Sequence, residues 1–375
     1  MSCKIVVWHG ALPLSISLGK LTFKTHLTND MTAFCFWRRS VQLLTQLPCR
    51  VKIISCKIGK CLHLQVVGGT KIFSNYKIQK KNQRNMFKVR LLRLKTDIET
   101  YLAKLCGVFN KRIRGIKTKY NQNYCNDKHK FHQLDVMYSN DGEVKPCVLY
   151  MHGGGWCAYD KRVFRSTCKR LCSCGMVVFN CNFRLAPKFS VEDMQQDIYA
   201  IIDYISANAS KYGGNPENIV LAGDSAGAHL LSLFINKAIL NCESVAKKVK
   251  GCAFFYGVYN LETTLNTNFK HLQTYMSSIV PTSTANYFDR LRQISPVNYV
   301  SASIPPTLIC SGKIDTLNDS QSQQYAQILR EHGVRVQSLI FPKEVTSAKH
   351  KFITFDTNKA AKRSFEAFGE FIKTL

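Results

Sequence analysis

The run Ile219-Val220-Leu221-Ala222 leads directly into Gly223-Asp224-Ser225-Ala226-Gly227, and an apolar stretch from Leu230 to Leu240 follows. The first run reads as a short buried strand and the last as a helix. Gly-x-Ser-x-Gly between them fixes a sharp strand-to-helix turn. Such a turn lifts the serine hydroxyl above the end of a sheet, with a helix N-terminus beneath it. The glycines at 223 and 227 leave room where strand and helix backbones nearly touch. The five-residue pattern alone occurs in many loops, so its surroundings decide its meaning.

Upstream, the strand-like run Cys147-Val148-Leu149-Tyr150-Met151 ends in His152-Gly153-Gly154-Gly155-Trp156. Three consecutive glycines add no packing and lose much backbone entropy on ordering. A flexible turn is one reading of them. Their place after a strand and before the serine turn favours another, in which backbone N–H groups point at a developing oxyanion.

HGGG followed by GDSAG resembles the α/β-hydrolases of the hormone-sensitive-lipase-like type, and the resemblance covers roughly residues 131–375. It implies the α/β-hydrolase fold, with Ser225 as nucleophile and the N–H groups of Gly154, Gly155 and Ala226 as oxyanion hole. Asn182-Phe183-Arg184-Leu185-Ala186-Pro187 resembles the family's YRLAP segment, with Phe183 replacing the tyrosine, and is expected to be structural. The acid and base should follow the serine in the order Asp, His. Pro306–Cys310 reads as a strand leading to Asp315-x-Leu317-x-Asp319, which looks like the family's acid loop. Asp315 is then the orienting carboxylate, and Asp319, the competitor, reads as the N-cap of the next helix. His350 lies in the loop after the strand Val336–Phe341 and is the expected base. The family usually has Gly after this histidine, where this chain has Lys351. Three other histidines read as structural: His332 at a helix end, His229 within the helix after the serine, and His152 shaping the glycine loop.

These placements imply a serine hydrolase that cleaves small or medium acyl esters through an acyl-enzyme, with a small-molecule ester as partner. An arylformamidase-like amidase shares the same steps, and Gly-x-Ser-x-Gly-Ala-His-Leu with HGGxW resembles that group too. A ligand-binding relative without turnover is the reading outside enzymes, but such a protein is expected to lack a member of the triad. No cofactor is needed, and no Cys-x-x-Cys or His-x-x-x-His pair suggests a metal. Acyl length and alcohol group depend on pocket shape rather than on these motifs.

Around the motifs, strands alternate with helices. Gly175–Phe179 and Cys252–Tyr256 read as strands, Val191–Tyr212 and Asp356–Leu375 as helices, which predicts a mostly parallel sheet covered on both faces. Met194, Ile198, Ile201, Ile202 and Ile205 mark one stripe of the first helix. Residues 260–300 interrupt the alternation. This insertion is expected above the strand ends, where Phe269, Tyr275, Met276, Tyr287 and Phe288 either line an acyl pocket or pack the insertion onto the body.

Charge separates the chain into unequal parts. Residues 1–130 carry 26 basic and 4 acidic side chains, a net of +22, against 26 and 20, or +6, for the remainder. Met86–Lys119 reads as one or two amphipathic helices, with Phe87, Leu91, Leu94, Ile98, Leu102, Leu105, Phe109, Ile113 and Ile116 spaced by three and four. Residues 86–130 are thus a candidate basic helical cap over the active site, with peripheral contact to an anionic membrane as the second reading. No nucleic-acid-binding module accompanies the charge, so no nucleic-acid partner is expected. Residues 1–85, with fourteen basic residues and one acid, show no clean period. They form a basic extension, and Met86 is the expected natural start, a reading that any natural peptide from 1–85 would defeat. Ile5–Leu18 is too short and broken to span a bilayer. Sixteen cysteines, irregularly spaced and often within apolar strands, read as reduced thiols of a cytoplasmic protein.

Overall fold

The computed structural model describes residues 86–98, 101, 111–267, 269, 271–317, 320–354 and 358–375, and the backbone of strands at 4–9, 12–17, 21–24, 51–55 and 61–66. The chain divides into two compact units, Met1–Lys81 and Asn82–Leu375. In the first, β1 (Lys4–His9) pairs antiparallel with β2 (Leu12–Ser17). There too, β3 (Leu21–Lys24) and β4 (Val51–Ser55) flank β5 (Cys61–Val66) in an antiparallel sheet. The start expected at Met86 falls just inside the second unit; residues 67–85, immediately before it, lie outside the described ones.

The second unit opens with α1 (86–98), followed by β6 (Ile116–Asn123), β7 (Gln133–Ser139) and β8 (Lys145–Met151). Then come α2 (Arg165–Cys172), β9 (Val177–Cys181), α3 (Val191–Asn208), β10 (Gly214–Asp224), α4 (Ala226–Leu240) and β11 (Val249–Phe255). The insertion supplies α5 (Leu261–Thr264), α6 (Leu272–Ile279) and α7 (Tyr287–Gln293). β12 (Thr307–Gly312), α8 (Gln321–Glu331), β13 (Val336–Phe341) and α9 (Lys359–Ile372) complete it.

Its sheet runs β13-β12-β11-β10-β8-β9-β7-β6. The six strands from β13 to β9 are parallel, while β7 and β6 are antiparallel at one edge. Period-two alternation divides the strands between two cores: Leu149 and Leu221 face α3 and α4, whereas Val148 and Val220 face α2 and α9. Burial on both faces explains the unbroken apolar runs of these strands. α3 starts at a capping box, in which Ser190 and Asp193 satisfy each other's backbone N–H groups. It buries Val191 and the expected stripe of Met194, Ile198, Ile201, Ile202 and Ile205. The α-helix ends at Asn208, and Ala209–Tyr212 tightens into a 3-10 turn closed by Gly213 at φ +76°.

The helical expectation fails over 111–119. Helical periodicity through Ile113 and Ile116 predicted a helix to Lys119, but Ile116–Asn123 is the edge strand β6, paired with β7. Gly115, at φ +82°, breaks any helix there. The β-favouring Thr118 and Tyr120 then gain a sheet edge, so tertiary pairing outweighs a weak local period. Within α1 the orientation is also reversed. Phe87, Leu91, Leu94 and Ile98 are 60%, 50%, 57% and 51% exposed, and the buried residues are Val89 and Thr96 on the opposite face. Leu102, Leu105 and Phe109 lie outside the described residues.

Candidate active site

β10 runs through the middle of the sheet, and the chain turns sharply at its C-terminal end into α4. Ser225 takes φ +49°, ψ −115°, a conformation forced on a non-glycine residue by the turn. Gly227 allows it: a Cβ there would strike the Met151 carbonyl at the end of neighbouring β8. Strand end and helix start touch as the spacing predicted.

The next strand along, β11, is followed by β12, whose exit loop carries Asp315. That residue is tied back by its N–H to the Gly312 carbonyl at 3.0 Å, and its Oδ1 accepts the Leu317 N–H at 3.0 Å. β13 leads to His350. Ser225 Oγ lies 3.0 Å from His350 Nε2, and His350 Nδ1 lies 2.8 Å from Asp315 Oδ2. The carboxylate accepts the Nδ1 proton, which leaves the Nε2 lone pair facing the serine hydroxyl. Tyr256 and Phe269 hold the imidazole edge-on, each with its ring centroid 5.0 Å away. Asp319 lies outside the described residues, and the cap position of α8 is Ser320.

β8 ends at the glycine loop. Gly154 and Gly155 hold φ +127° and +58°, and a Cβ on them would strike the Ala158 carbonyl and the Tyr275 ring. Cys157 and Ala158 donate back to the Gly154 carbonyl at 3.3 and 3.1 Å, which fixes the loop's direction. The N–H groups of Gly154, Gly155 and Ala226 donate to no protein acceptor among the described residues. All three residues line a cavity of about 380 Å³ together with Ser225 and His350. Its other walls are mainly apolar, including Phe164, Val258, Phe269, Leu272 and Leu317.

Asp224 is a central site residue that motif reading passed over. Its buried Oδ1 accepts from Tyr150 Oη at 2.8 Å and from the Gly153 N–H at 2.9 Å, so it joins the serine turn to the glycine loop. Burial pushes its carboxyl up to about 6, while the hydrogen bonds from Tyr150 and Gly153 pull the other way. An acid closing an apolar strand is the sequence signal that could have found it, because a buried carboxylate demands donors.

His229, His152 and His332 are structural. His229 Nδ1 accepts from Trp156 Nε1 at 3.0 Å and Nε2 donates to the Ile294 carbonyl at 2.7 Å. His152 donates from Nδ1 to the Gly153 carbonyl and lies between Phe164 and Phe183. Burial drives both well below the usual histidine value, to about 4. His332 donates to the Ile328 carbonyl at the end of α8. Arg184 of the YRLAP-like segment binds Asp197 and Asp193 on α3, a structural bridge. Of the insertion's aromatic candidates, Phe269 and Tyr275 reach the cavity. Met276 is packed in the core, Tyr287 does not line the cavity, and Phe288 is exposed.

A family model described as the alpha/beta hydrolase fold matches residues 148–353, more than half of the chain. The chain is an α/β-hydrolase. Relatives of this α/β-hydrolase include esterase LipQ of Mycobacterium tuberculosis, 28% identical over 232 residues that make up 58% of this chain and 54% of that protein. The probable carboxylic ester hydrolase LipM of the same organism is 27% identical over 225 residues, 58% of this chain and 51% of its own. The α/β-hydrolase thus spans about half the length of the curated relatives it matches. Among solved structures, esterase B from Lactobacillus rhamnosis superposes with a TM-score of 0.66 at 20% identity, over 78% of this chain and 97% of that one, a likeness of fold.

Proposed function

We propose that this α/β-hydrolase is a serine carboxylester hydrolase for small or medium acyl esters. One observation carries the reading: Ser225, His350 and Asp315 form a continuous hydrogen-bonded line at 3.0 and 2.8 Å beside three undonated N–H groups. The relatives named esterase and carboxylic ester hydrolase support it.

In the first half-reaction, Ser225 Oγ bonds to the acyl carbon as its proton passes to His350 Nε2. The carbonyl π electrons move onto oxygen, toward the N–H groups of Gly154, Gly155 and Ala226. Each such donor is worth about 3 kcal/mol at the transition state. Asp315 stabilises the imidazolium and holds its tautomer. Collapse of the tetrahedral species expels the alcohol oxygen, which takes the proton from Nε2. Water then repeats the sequence on the acyl-serine and releases the acid. A cavity of about 380 Å³ suits a modest acyl chain rather than a triglyceride.

Hydrolysis of p-nitrophenyl esters from acetate to laurate tests this reading. Turnover of the short esters should fall at least about a thousandfold in Ser225→Ala. A folded chain that cleaves no ester but does cleave an N-formyl anilide would move the chemistry to amides.

Two further expectations remain proposals. Among the described residues no helix is long and apolar enough to cross a membrane. The exposed stripe of α1, rimmed by the exposed Lys88, Arg90 and Lys95, is instead suited to rest on an anionic bilayer, which co-sedimentation with vesicles tests. Ten described cysteines are free, and burial pushes the thiols of Cys147, Cys172 and Cys310 up to about 12. We therefore assign the protein to a reducing compartment such as the cytoplasm. A cysteine that resists alkylation in the denatured, unreduced natural protein would contradict that.

A further inference from the structure

The residue after the candidate base departs from the family pattern in a way that has a chemical use. Lys351 occupies φ +70°, a region that favours glycine and that a long side chain enters only at a cost of about 1 kcal/mol. Opposite it, on the loop after β8, Tyr159 holds φ +67°. Two loops are therefore held in an unfavoured conformation at the place where their side chains meet. Lys351 Nζ donates to Tyr159 Oη at 2.7 Å and lies 4.6 Å from the centre of that ring. Both residues line the cavity that contains Ser225 and His350.

Among the described residues the charge in this corner is one-sided. Lys351 forms no ion pair with any described carboxylate. Of the described acids around the site, Asp224 is engaged by Tyr150 and the Gly153 N–H, Asp315 by His350 and the Leu317 N–H, and Asp160, next to Tyr159, by Arg162. An ammonium has three protons to donate, and Tyr159 takes one. The tyrosine oxygen accepts that hydrogen bond and still has its own proton to donate. Lys351 and Tyr159 thus bring polar donors to a cavity whose wall also includes Phe164, Phe269 and Leu272. A cation so placed gains most when a ligand supplies the missing negative charge.

We propose that Lys351 and Tyr159 form an anion-recognition corner, and that the substrate is an ester carrying a second, ionised carboxylate. The class comprises mono-esters of dicarboxylic acids and esters of hydroxy acids. The proposal rests on the ester-hydrolase reading and narrows it.

The test compares kcat/KM for two pairs of near-isosteric esters, by acid release at constant pH near 7, where the carboxyls are ionised. Monomethyl adipate against methyl hexanoate places the charge on the acyl side; carboxymethyl butyrate against propyl butyrate places it on the alcohol side. In one pair the charged ester should be preferred by about tenfold or more, and the pair that shows it identifies the side. Lys351→Asn keeps a residue tolerant of positive φ but removes the charge, so that ratio should collapse about tenfold. Tyr159→Phe should reduce the ratio by a smaller factor. In the wild type, salt should lower the ratio, a readout that needs no variant. A residue that merely braces the loop would change both members of a pair alike. Equal use of charged and neutral esters by the wild type, or a preference that survives Lys351→Asn, would overturn the proposal. If no ester of either kind is cleaved, the hydrolase reading itself has failed and this inference goes with it.

Discussion

Helices α1 and α3 show the same periodicity in sequence and opposite outcomes in structure. In α3 the stripe is broad, with Val191, Met194, Ile198, Ile201, Ile202 and Ile205, most of them β-branched, and it fills the space over β8 and β10. In α1 the stripe is narrower, with Phe87, Leu91, Leu94 and Ile98, and Arg90 flanks it on one side, Lys88 and Lys95 on the other. Three cations at the rim of that narrow band keep their heads hydrated most easily where the band faces water or a headgroup layer. The helix turns Val89 and Thr96 inward instead. Periodicity identifies a face; the width of the stripe and the charges at its edges decide what covers it.

The largest test of this contrast is in α3. Ile201→Ala should lower the unfolding free energy by about 2–5 kcal/mol in urea titrations, as expected for a cavity in a close-packed core. A loss under 1 kcal/mol would mean that the α3 stripe is no better packed than that of α1.

Acid should loosen the α3 side next. His229, on the α4 helix packed against α3, and His152 both sit near 4 when folded, against an ordinary value of about 6.5. Their stabilising contribution is complete above pH 6.5 and is lost as pH falls toward 4, about 3 kcal/mol for each. Asp224, raised to about 6, works the other way and regains about 3 kcal/mol below that pH. Two against one, the urea midpoint should drop between pH 6.5 and 4.5, and His229→Gln should flatten that drop. An acid-insensitive wild type would refute the assignment of both histidines as neutral.

On α1 the effects are on partition rather than folding. Leu91→Ser with Leu94→Ser should weaken binding to anionic vesicles about tenfold, while uncharged vesicles retain neither form well. Equal binding by both forms would leave the stripe without a bilayer role. The smallest effect separates the two helices most cleanly. Leu94→Ala should change stability by no more than about 0.5 kcal/mol. A loss comparable with that of Ile201→Ala would show the stripe to be packed and would restore the cap reading.

Much of the fold and of the candidate site was legible in the chain because each key residue ends or follows a strand. Ser225, Asp315 and His350 come after β10, β12 and β13 in sequence order, and a parallel sheet gathers such ends on one edge. What escaped reading depends on partners distant in sequence. Asp224 acquires its role from Tyr150 and Gly153, more than seventy residues away. The turn at Gly115 and the pairing of β6 with β7 overrode an apolar spacing that looked helical. Strand and helix limits otherwise shifted by a few residues, as at β9, which begins at Val177 rather than Gly175.

The link from Asp224 to Tyr150 and Gly153 has a consequence for how such a protein changes over time. It ties nucleophile turn and glycine loop into one rigid fixture, while Phe269 and Tyr275 from the insertion, and Lys351 beside the base, face the same cavity from separate segments. Under the proposed function, chemistry and choice of substrate are carried by different stretches of chain. A lineage could exchange the insertion, or a single residue such as Lys351, and acquire a new diet without retuning the bond-breaking apparatus.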